Sequence, residues 1–397
     1  MSGFVVPPYP HDRLGALQRL AVSHPMGLLD LSIGTPNDPL PEIVANALRN
    51  AVESESNGYP TALGSVGLRN AVLGYLHRRF GVAVDPEGVM ACVGTKELVA
   101  SLPHVLHLRD PERKTVLYPA VSYPTYAMGA LLAGLNPVAV PLDSQWHMDV
   151  EAIAPVDAAD ALVLWLNEPS NPTGASMSRE QLERTVRWAQ DRGIVVASDE
   201  CYVEFTEMAE EFGADPDAKV PAPVDRGGST GLTVLTGDTS GVLAVHSLSK
   251  RSNAAGLRSG FVAGDPELVK YLVSVRKHAG MMMPGPIQAA SAVAWSDDMH
   301  VNTQRDRYRE RRETVLRQLG PLGLIHDGGR DTFYLWLRTD AAADDGWEIT
   351  ARFAEAGILV APGDMYGPAG ADHARLALVA DLDRLAEIGE RFNQGVS

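Results

Sequence analysis

Lys250 closes the run His246-Ser247-Leu248-Ser249-Lys250, and eight residues later Arg258 sits inside Gly256-Leu257-Arg258-Ser259-Gly260. An amine flanked by small hydroxyl residues, a turn that glycine permits and a second cation can form an imine with a carbonyl cofactor while its phosphate is held alongside. The pattern points to pyridoxal 5'-phosphate. A lysine is ordinarily a solvated surface residue, so the rest of the chain must supply the other parts of such a site.

Short apolar runs at 89–93, 115–118, 136–140, 161–166, 194–198, 242–246 and 260–263 are expected strands, with helix-like segments at 95–108, 125–134 and 178–192 between them. This is the rhythm of a mostly parallel α/β sheet. Earlier, helical spacing runs from Pro41 to Val52 and from Val66 to Phe80, separated by the turn-rich Ser56-Asn57-Gly58-Tyr59-Pro60. Ser178 and Gln181 form a capping box, and Gly193 closes the far end of that helix. The acidic, Pro/Gly-rich stretch 207–232 reads as a long surface excursion. Residues 1–40 read as an arm with an amphipathic stretch near Leu14 to Ala21, and 41–285 as a large domain. After Met281-Met282-Met283-Pro284-Gly285-Pro286 breaks the helix Asp265 to His278, residues 286–397 read as a smaller α+β domain, joined by the arm. That region holds helices at 299–319 and 346–356 and strands at 332–338 and 374–379.

In an open parallel sheet, ligands bind outside the carboxyl ends of the strands, where helix N-termini and loops converge. The strand ends here lead to Gly94-Thr95-Lys96-Glu97 opening a helix, to Tyr123-Pro124-Thr125-Tyr126, to the segment Asn167 to Gly174, to Asp199 and to Lys250. A phosphate cradle, an aromatic, an amide, a carboxylate and an amine fall on one edge. Each has an ordinary reading when taken singly. Gly94-Thr95 is a common helix cap, Tyr123 a packing residue, Asn171-Pro172-Thr173-Gly174 a turn, and Asp199 a cap for the next segment of chain. Their order along one edge is what an ordinary reading leaves unexplained.

On these motifs, which span Gly34 to Arg375, the chain resembles the fold-type I, class I/II aminotransferases. The resemblance implies an aspartate aminotransferase-like fold: a mostly parallel α/β sheet forms the large pyridoxal-phosphate domain, beside a smaller α+β domain. It implies that Lys250 holds the cofactor and moves the proton between the substrate Cα and the cofactor. It gives Asp199 the pyridine nitrogen, which the carboxylate keeps protonated, and gives Asn171 and Tyr202 the phenolic oxygen. Tyr123 stacks on the ring, and Gly94, Thr95, Lys96, Ser247, Ser249 and Arg258 share the phosphate. The substrate α-carboxylate needs a planar bidentate donor, and Arg375 resembles the family arginine that supplies it, with Gly34 and Asn171 beside it. Tyr59 resembles the tyrosine that reaches the partner subunit's phosphate, which implies a homodimer with shared active sites.

Composition limits the alternatives. The chain has 397 residues, 45% of them hydrophobic and 21% charged, enough for two domains or one large domain with an appendage. With 34 Lys and Arg against 50 Asp and Glu, the net charge is −16. There is no basic stripe, so neither nucleic acid nor an anionic membrane is an expected partner. Cys92 and Cys201 lie far apart without metal-type spacing, which fits a reducing compartment, the cytoplasm. No run approaches the roughly 18 apolar residues of a membrane span, and no basic-then-apolar leader is expected. The histidines show no ligand spacing, His104 and His107 fit one helix face, and no metal is expected. The triple Met281-Met282-Met283 reads as adaptable packing, with a place on the substrate-pocket wall as the alternative.

The expected reaction passes an amino group from an amino acid to a 2-oxo acid, 2-oxoglutarate. Leu31 to Pro36, Ser122 to Tyr126, Asn167 to Asn171 and Arg276 to Gly280 look most like actinobacterial-type N-succinyl-L,L-diaminopimelate aminotransferases of lysine biosynthesis, a branch of amino-acid biosynthesis. A distal succinyl carboxylate needs a cation or amide. Lys96 is a candidate, but it is also wanted at the phosphate. Three alternatives stand: a broad aspartate or aromatic aminotransferase, a carbon–sulfur β-lyase that releases pyruvate and ammonia from cystathionine, and a regulator carrying an added DNA-binding module.

Overall fold

The computed structural model describes residues 4–53, 58–206, 231–339 and 345–394. All but the last two residues of the expected excursion at 207–232 lie outside these, as do Ser56 and Asn57 of the turn-rich run. The strands, in chain order, are β1 (Leu29–Asp30), β2 (Val89–Cys92), β3 (Thr115–Pro119), β4 (Asn136–Val140), β5 (Ala161–Asn167), β6 (Val195–Asp199), β7 (Val242–Ser247), β8 (Gly260–Gly264), β9 (Leu324–His326), β10 (Tyr334–Thr339), β11 (Ile358–Leu359), β12 (Ala361–Pro362) and β13 (Ala374–Ala377).

Among the described residues the larger sheet has seven strands in the order β2-β8-β7-β6-β5-β3-β4. Strand β8 runs antiparallel to both its neighbours, and the remaining pairs are parallel. All seven residues of β5 are buried, which is why its sequence is a continuous apolar run rather than an alternating one. Successive side chains still leave the strand on opposite faces. Leu164 and Leu166 join one core with helices Glu42–Val52, Val66–Phe80 and Arg179–Gln190, while Val163 and Trp165 join another with helices Thr95–Arg109 and Thr125–Leu132. The sheet is therefore the middle of three layers.

Local chemistry sets the helix ends. Ser65 accepts the Leu68 N–H, and Gly81, at φ +68°, closes the helix begun at Val66. The Ser178–Gln181 capping box is formed in both directions, and Gly193 takes φ +64°. Asp265 caps the helix Pro266–His278.

A second sheet, β12-β13-β10-β9, is antiparallel throughout and packs with helices Met299–Leu319 and Gly346–Glu355 around its own core. The N-terminal segment joins this unit: β1 pairs in parallel with β11, and Leu14 packs with Trp336, Met365 and Tyr366. The expected boundary at residue 285 moves. Helix Gly285–Ser296 puts Ala290, Ala294 and Trp295 into the larger core, against helices Glu42–Val52 and Val66–Phe80. The change of core falls between Trp295, which packs in the larger core, and Tyr308, which packs in the smaller one. The Pro/Gly break before 285 ends a helix, but the apolar face beyond it stays with the larger unit. Met283 is buried in that core too, and none of the three methionines lines the cavity at the sheet edge.

Candidate active site

A cavity of about 300 Å³ opens at the carboxyl edge of the larger sheet, between the two units. Register brings Asn167 beside Asp199 and Asp199 beside Val245, so adjacent parallel strands deliver their terminal residues to one place. Of the residues singled out in the sequence, Gly34, Thr95, Lys96, Tyr123, Asn171, Asp199, Tyr202, Ser247, Ser249, Lys250, Arg258 and Arg375 line this cavity. Gly94 does not line it but caps the helix whose first residues, Thr95 and Lys96, do. Tyr59 does not reach it and is 98% exposed.

One end of the cavity is rich in donors. Gly94, at φ +73°, caps helix Thr95–Arg109, and a Cβ there would overlap the Arg258 guanidinium. The backbone conformation favours glycine, and a side chain there would also displace the Arg258 guanidinium. Arg258 takes a left-handed conformation, φ +52°, and donates to the Ala255 carbonyl at 2.9 Å. The Ser247 hydroxyl accepts the Ser249 N–H at 3.1 Å, which folds the short helix Leu248–Arg251 that carries Lys250. A guanidinium, three hydroxyls and free N–H groups at a helix N-terminus suit a phosphate.

Asp199 is buried beneath the cavity. The Tyr126 hydroxyl donates to its Oδ2 at 3.1 Å and the Cys201 N–H to its Oδ1 at 3.3 Å. Burial pushes its carboxyl above the usual range in spite of these donors. A buried carboxylate in that state needs a cation, and a protonated pyridine nitrogen is one. Tyr126 is itself fixed by stacking on Trp165, with centroids 5.1 Å apart.

Arg375 is buried on β13 between the rings of Tyr334 and Tyr366, 4.1 and 4.8 Å from their centroids. It donates to Asn171 Oδ1 at 2.8 Å and to the Ser32 carbonyl at 2.7 Å, while its Nε, buried in the site, has no partner. Buried donors are normally satisfied, so the orphan fits a guanidinium that waits for a carboxylate. Because Asn171 accepts through Oδ1, its amide nitrogen is left to donate. The Lys250 amine donates to the Gly34 carbonyl. Burial, and then the Arg375 charge, lower its pKa to about 8.

The backbone and the side chain of Lys96 lie in different parts of the cavity wall. Its ammonium lies over the rings of Tyr9 and Tyr123, 5.4 and 5.8 Å from the centroids, on the side covered by the N-terminal segment. Only its backbone stays with the helix N-terminus that faces the phosphate end. Residues that sequence reasoning gave no role also belong here: Tyr9, His11, Tyr126, Tyr334 and Tyr366 line the same cavity. Tyr126 was visible as the last residue of the Tyr123-Pro124-Thr125-Tyr126 motif. The others come from the arm and the smaller unit, far away in sequence, with no local signal.

Taken together, the donor set fits pyridoxal phosphate: an amine whose pKa is lowered to about 8, a buried carboxylate, a donor amide and a cationic phosphate cup. Among the described residues no cluster of His, Cys, Asp or Glu could hold a metal.

Comparison with known proteins agrees with this geometry. The family model for aminotransferase class I and II matches residues 27–387. A probable aminotransferase of Mycobacterium tuberculosis is 42% identical over 382 residues, 96% of this chain and 84% of that protein. The 4-dedimethylamino-4-oxo-anhydrotetracycline transaminase of Streptomyces rimosus is 40% identical, over 98% of this chain and 99% of that one. Among solved structures, a probable N-succinyldiaminopimelate aminotransferase from Thermus thermophilus is 29% identical at a TM-score of 0.82, covering 97% of this chain and 99% of that one.

Proposed function

Because the chain belongs to the class I and II aminotransferases, which depend on pyridoxal phosphate, we propose that it moves an amino group from N-succinyl-L,L-2,6-diaminopimelate to 2-oxoglutarate. One observation carries the choice: the Lys96 ammonium lines the same cavity as Arg375 but is held at the arm side by Tyr9 and Tyr123. Two cationic groups in one cavity suit a substrate with an α-carboxylate and a distal one. His11, whose buried Nε2 has no partner, lines the same space. The likeness to the Thermus protein supports the reading.

In this reading Arg375 and Gly34 orient the α-carboxylate, and Asn171 ties that arginine to the cofactor's phenolic oxygen. Bound pyridoxal phosphate supplies an electron sink for the bond broken at the substrate Cα. Asp199 keeps the pyridine nitrogen protonated, Tyr123 covers the ring, and Tyr202 donates to the phenolic oxygen. Lys250 takes the proton from Cα through Nζ, and a pKa of about 8 suits a base near neutral pH. Thr95, Ser247, Ser249 and Arg258 hold the phosphate. Tyr59, exposed and outside this chain's cavity, serves the partner's phosphate in a cytoplasmic homodimer.

A panel of amino donors with 2-oxoglutarate, read by the cofactor's spectrum in each half-reaction, tests this. N-succinyl-diaminopimelate should give the highest kcat/KM, and Lys96→Met should raise its KM by roughly 10- to 100-fold while sparing alanine. An equal or better rate with aspartate would overturn the choice. A second reading has its own support, the 40% identity to the Streptomyces enzyme: a polycyclic ketone as amino acceptor, stacked on Tyr9, Tyr123 and Tyr366.

A further inference from the structure

Two phenols that line the cavity are bonded to each other. The Tyr202 and Tyr334 oxygens lie 3.0 Å apart, and both side chains are buried. They come from different units, Tyr202 from the turn after β6 and Tyr334 from the start of β10. A phenol has one hydrogen. Of the two hydrogens in this pair, one occupies the shared bond and the other is free to serve the cavity. The direction of the shared bond therefore decides which tyrosine can act as a donor to a ligand.

We propose that Tyr334 is a positioning residue for Tyr202: its hydroxyl donates to the Tyr202 oxygen, so that the Tyr202 hydrogen is directed at the cofactor's phenolic oxygen. The inference rests on the reading that Tyr202 faces that oxygen.

Three features support it. The Tyr334 ring is clamped, lying over the Arg375 guanidinium at 4.1 Å and against the Tyr202 ring at 5.5 Å. Its hydroxyl also packs against Gly34, where a Cβ would overlap it. It is thus held at Tyr202 by contacts on several sides. Secondly, the two phenols differ in acidity. Burial raises both, but in Tyr334 the neighbouring Arg375 charge is the strongest influence after burial and opposes that rise, whereas the same charge acts only weakly on Tyr202. In a neutral pair the stronger acid donates. Thirdly, a hydroxyl that accepts a hydrogen bond becomes a better donor in turn, so the chain Tyr334 to Tyr202 to cofactor strengthens its last link. The phenolate form of the cofactor, which that link stabilises, gains from both hydroxyls.

The test uses the holoenzyme without substrate. The cofactor's visible absorption is titrated with pH in the parent, Tyr202→Phe, Tyr334→Phe and the double variant. Loss of a donor destabilises the phenolate and raises the midpoint. Tyr202→Phe should raise it by about one pH unit or more, and Tyr334→Phe by about half a unit. The double variant should match Tyr202→Phe alone, because Tyr334 acts through Tyr202. The Phe ring keeps the packing over Arg375, and Tyr334→Leu, which also removes the hydroxyl, should move the midpoint in the same direction. A shift in Tyr202→Phe with none in either Tyr334 variant overturns the inference and leaves the reading of Tyr202 standing. No shift in any variant overturns both. A double variant that sums the two single shifts overturns the claim that Tyr334 acts through Tyr202.

Discussion

Arg375 donates to Asn171 Oδ1 at 2.8 Å, a bond between the smaller unit's β13 and the loop after β5 in the larger one. It orients both partners. The arginine is held against the rings of Tyr334 and Tyr366, and the asparagine amide is turned so that its nitrogen is the group left to donate. In the proposed reading, substrate carboxylate and cofactor oxygen would share this one linkage across the junction of the units.

Arg375→Lys keeps a positive charge but loses the planar fork and the reach to both Asn171 and the Ser32 carbonyl. We expect kcat/KM for amino acids and 2-oxo acids alike to fall by roughly 10²-fold or more, a loss of about 3 kcal/mol. Steady-state kinetics on both half-reactions check this. A loss confined to one substrate would mean that the arginine serves only that one.

Lys250→Ala should remove the cofactor's imine absorption and lower turnover by at least about 10²- to 10⁴-fold, the usual worth of a positioned base. The pH dependence carries a sign. The amine's pKa is depressed to about 8, so its neutral, bond-forming state dominates above that value. The rate at which the cofactor-free protein captures pyridoxal phosphate should therefore rise with pH, reach half its maximum near about 8 and level off roughly one unit higher, as monitored by absorbance after mixing. A rate still climbing at pH 10 would contradict the depressed value.

Tyr126→Phe removes the hydroxyl that donates to Asp199 at 3.1 Å. With one donor fewer, the carboxyl, already raised by burial, rises further. The acid limb of the kcat profile should move to higher pH, and kcat at neutral pH should drop by about tenfold, the worth of a hydrogen bond to a charged group. An unmoved acid limb would show that Tyr126 only packs.

Glu204 binds Arg79 Nε at 2.6 Å and also pairs with Arg251, the residue after Lys250. Burial alone would raise its carboxyl, but Arg251 and Arg79 overcome that and pull it down to about 2. A depressed carboxyl contributes stability that is present above the unfolded value near 4.5 and lost as pH falls toward 2. That amounts to roughly 3 kcal/mol. Glu204→Gln should lower stability at pH 7 by about 3 to 5 kcal/mol and flatten the acid dependence between about pH 4.5 and 2, measured by denaturant titration at several pH values.

Much of the larger unit was legible in the sequence because its signals are local. The apolar run Ala161–Asn167 is buried on both faces, the Ser178 and Gln181 pair caps its helix, and the residues at the strand ends are set directly by where each strand stops. The short strands β1, β9, β11 and β12, of two or three residues each, carry no period long enough to read. The division near residue 285 was misplaced because a Pro/Gly break marks the end of a helix and does not say which core the next helix faces.

The sequence by itself determined the chemistry available at the edge of the sheet: Lys250, Asp199 and Asn171 stand at the end of a strand or in the segment just after it, Arg258 stands just before β8, and order along the chain is enough to gather them. Only the tertiary structure decided what surrounds them. Tyr126 under Asp199, Tyr334 against Tyr202, and Lys96 drawn toward Tyr9 are contacts between side chains whose positions depend on how sheets, arm and helices pack. A hydrogen bond needs its two atoms within about 3 Å, and no spacing within one segment of chain encodes that separation for residues far apart in sequence.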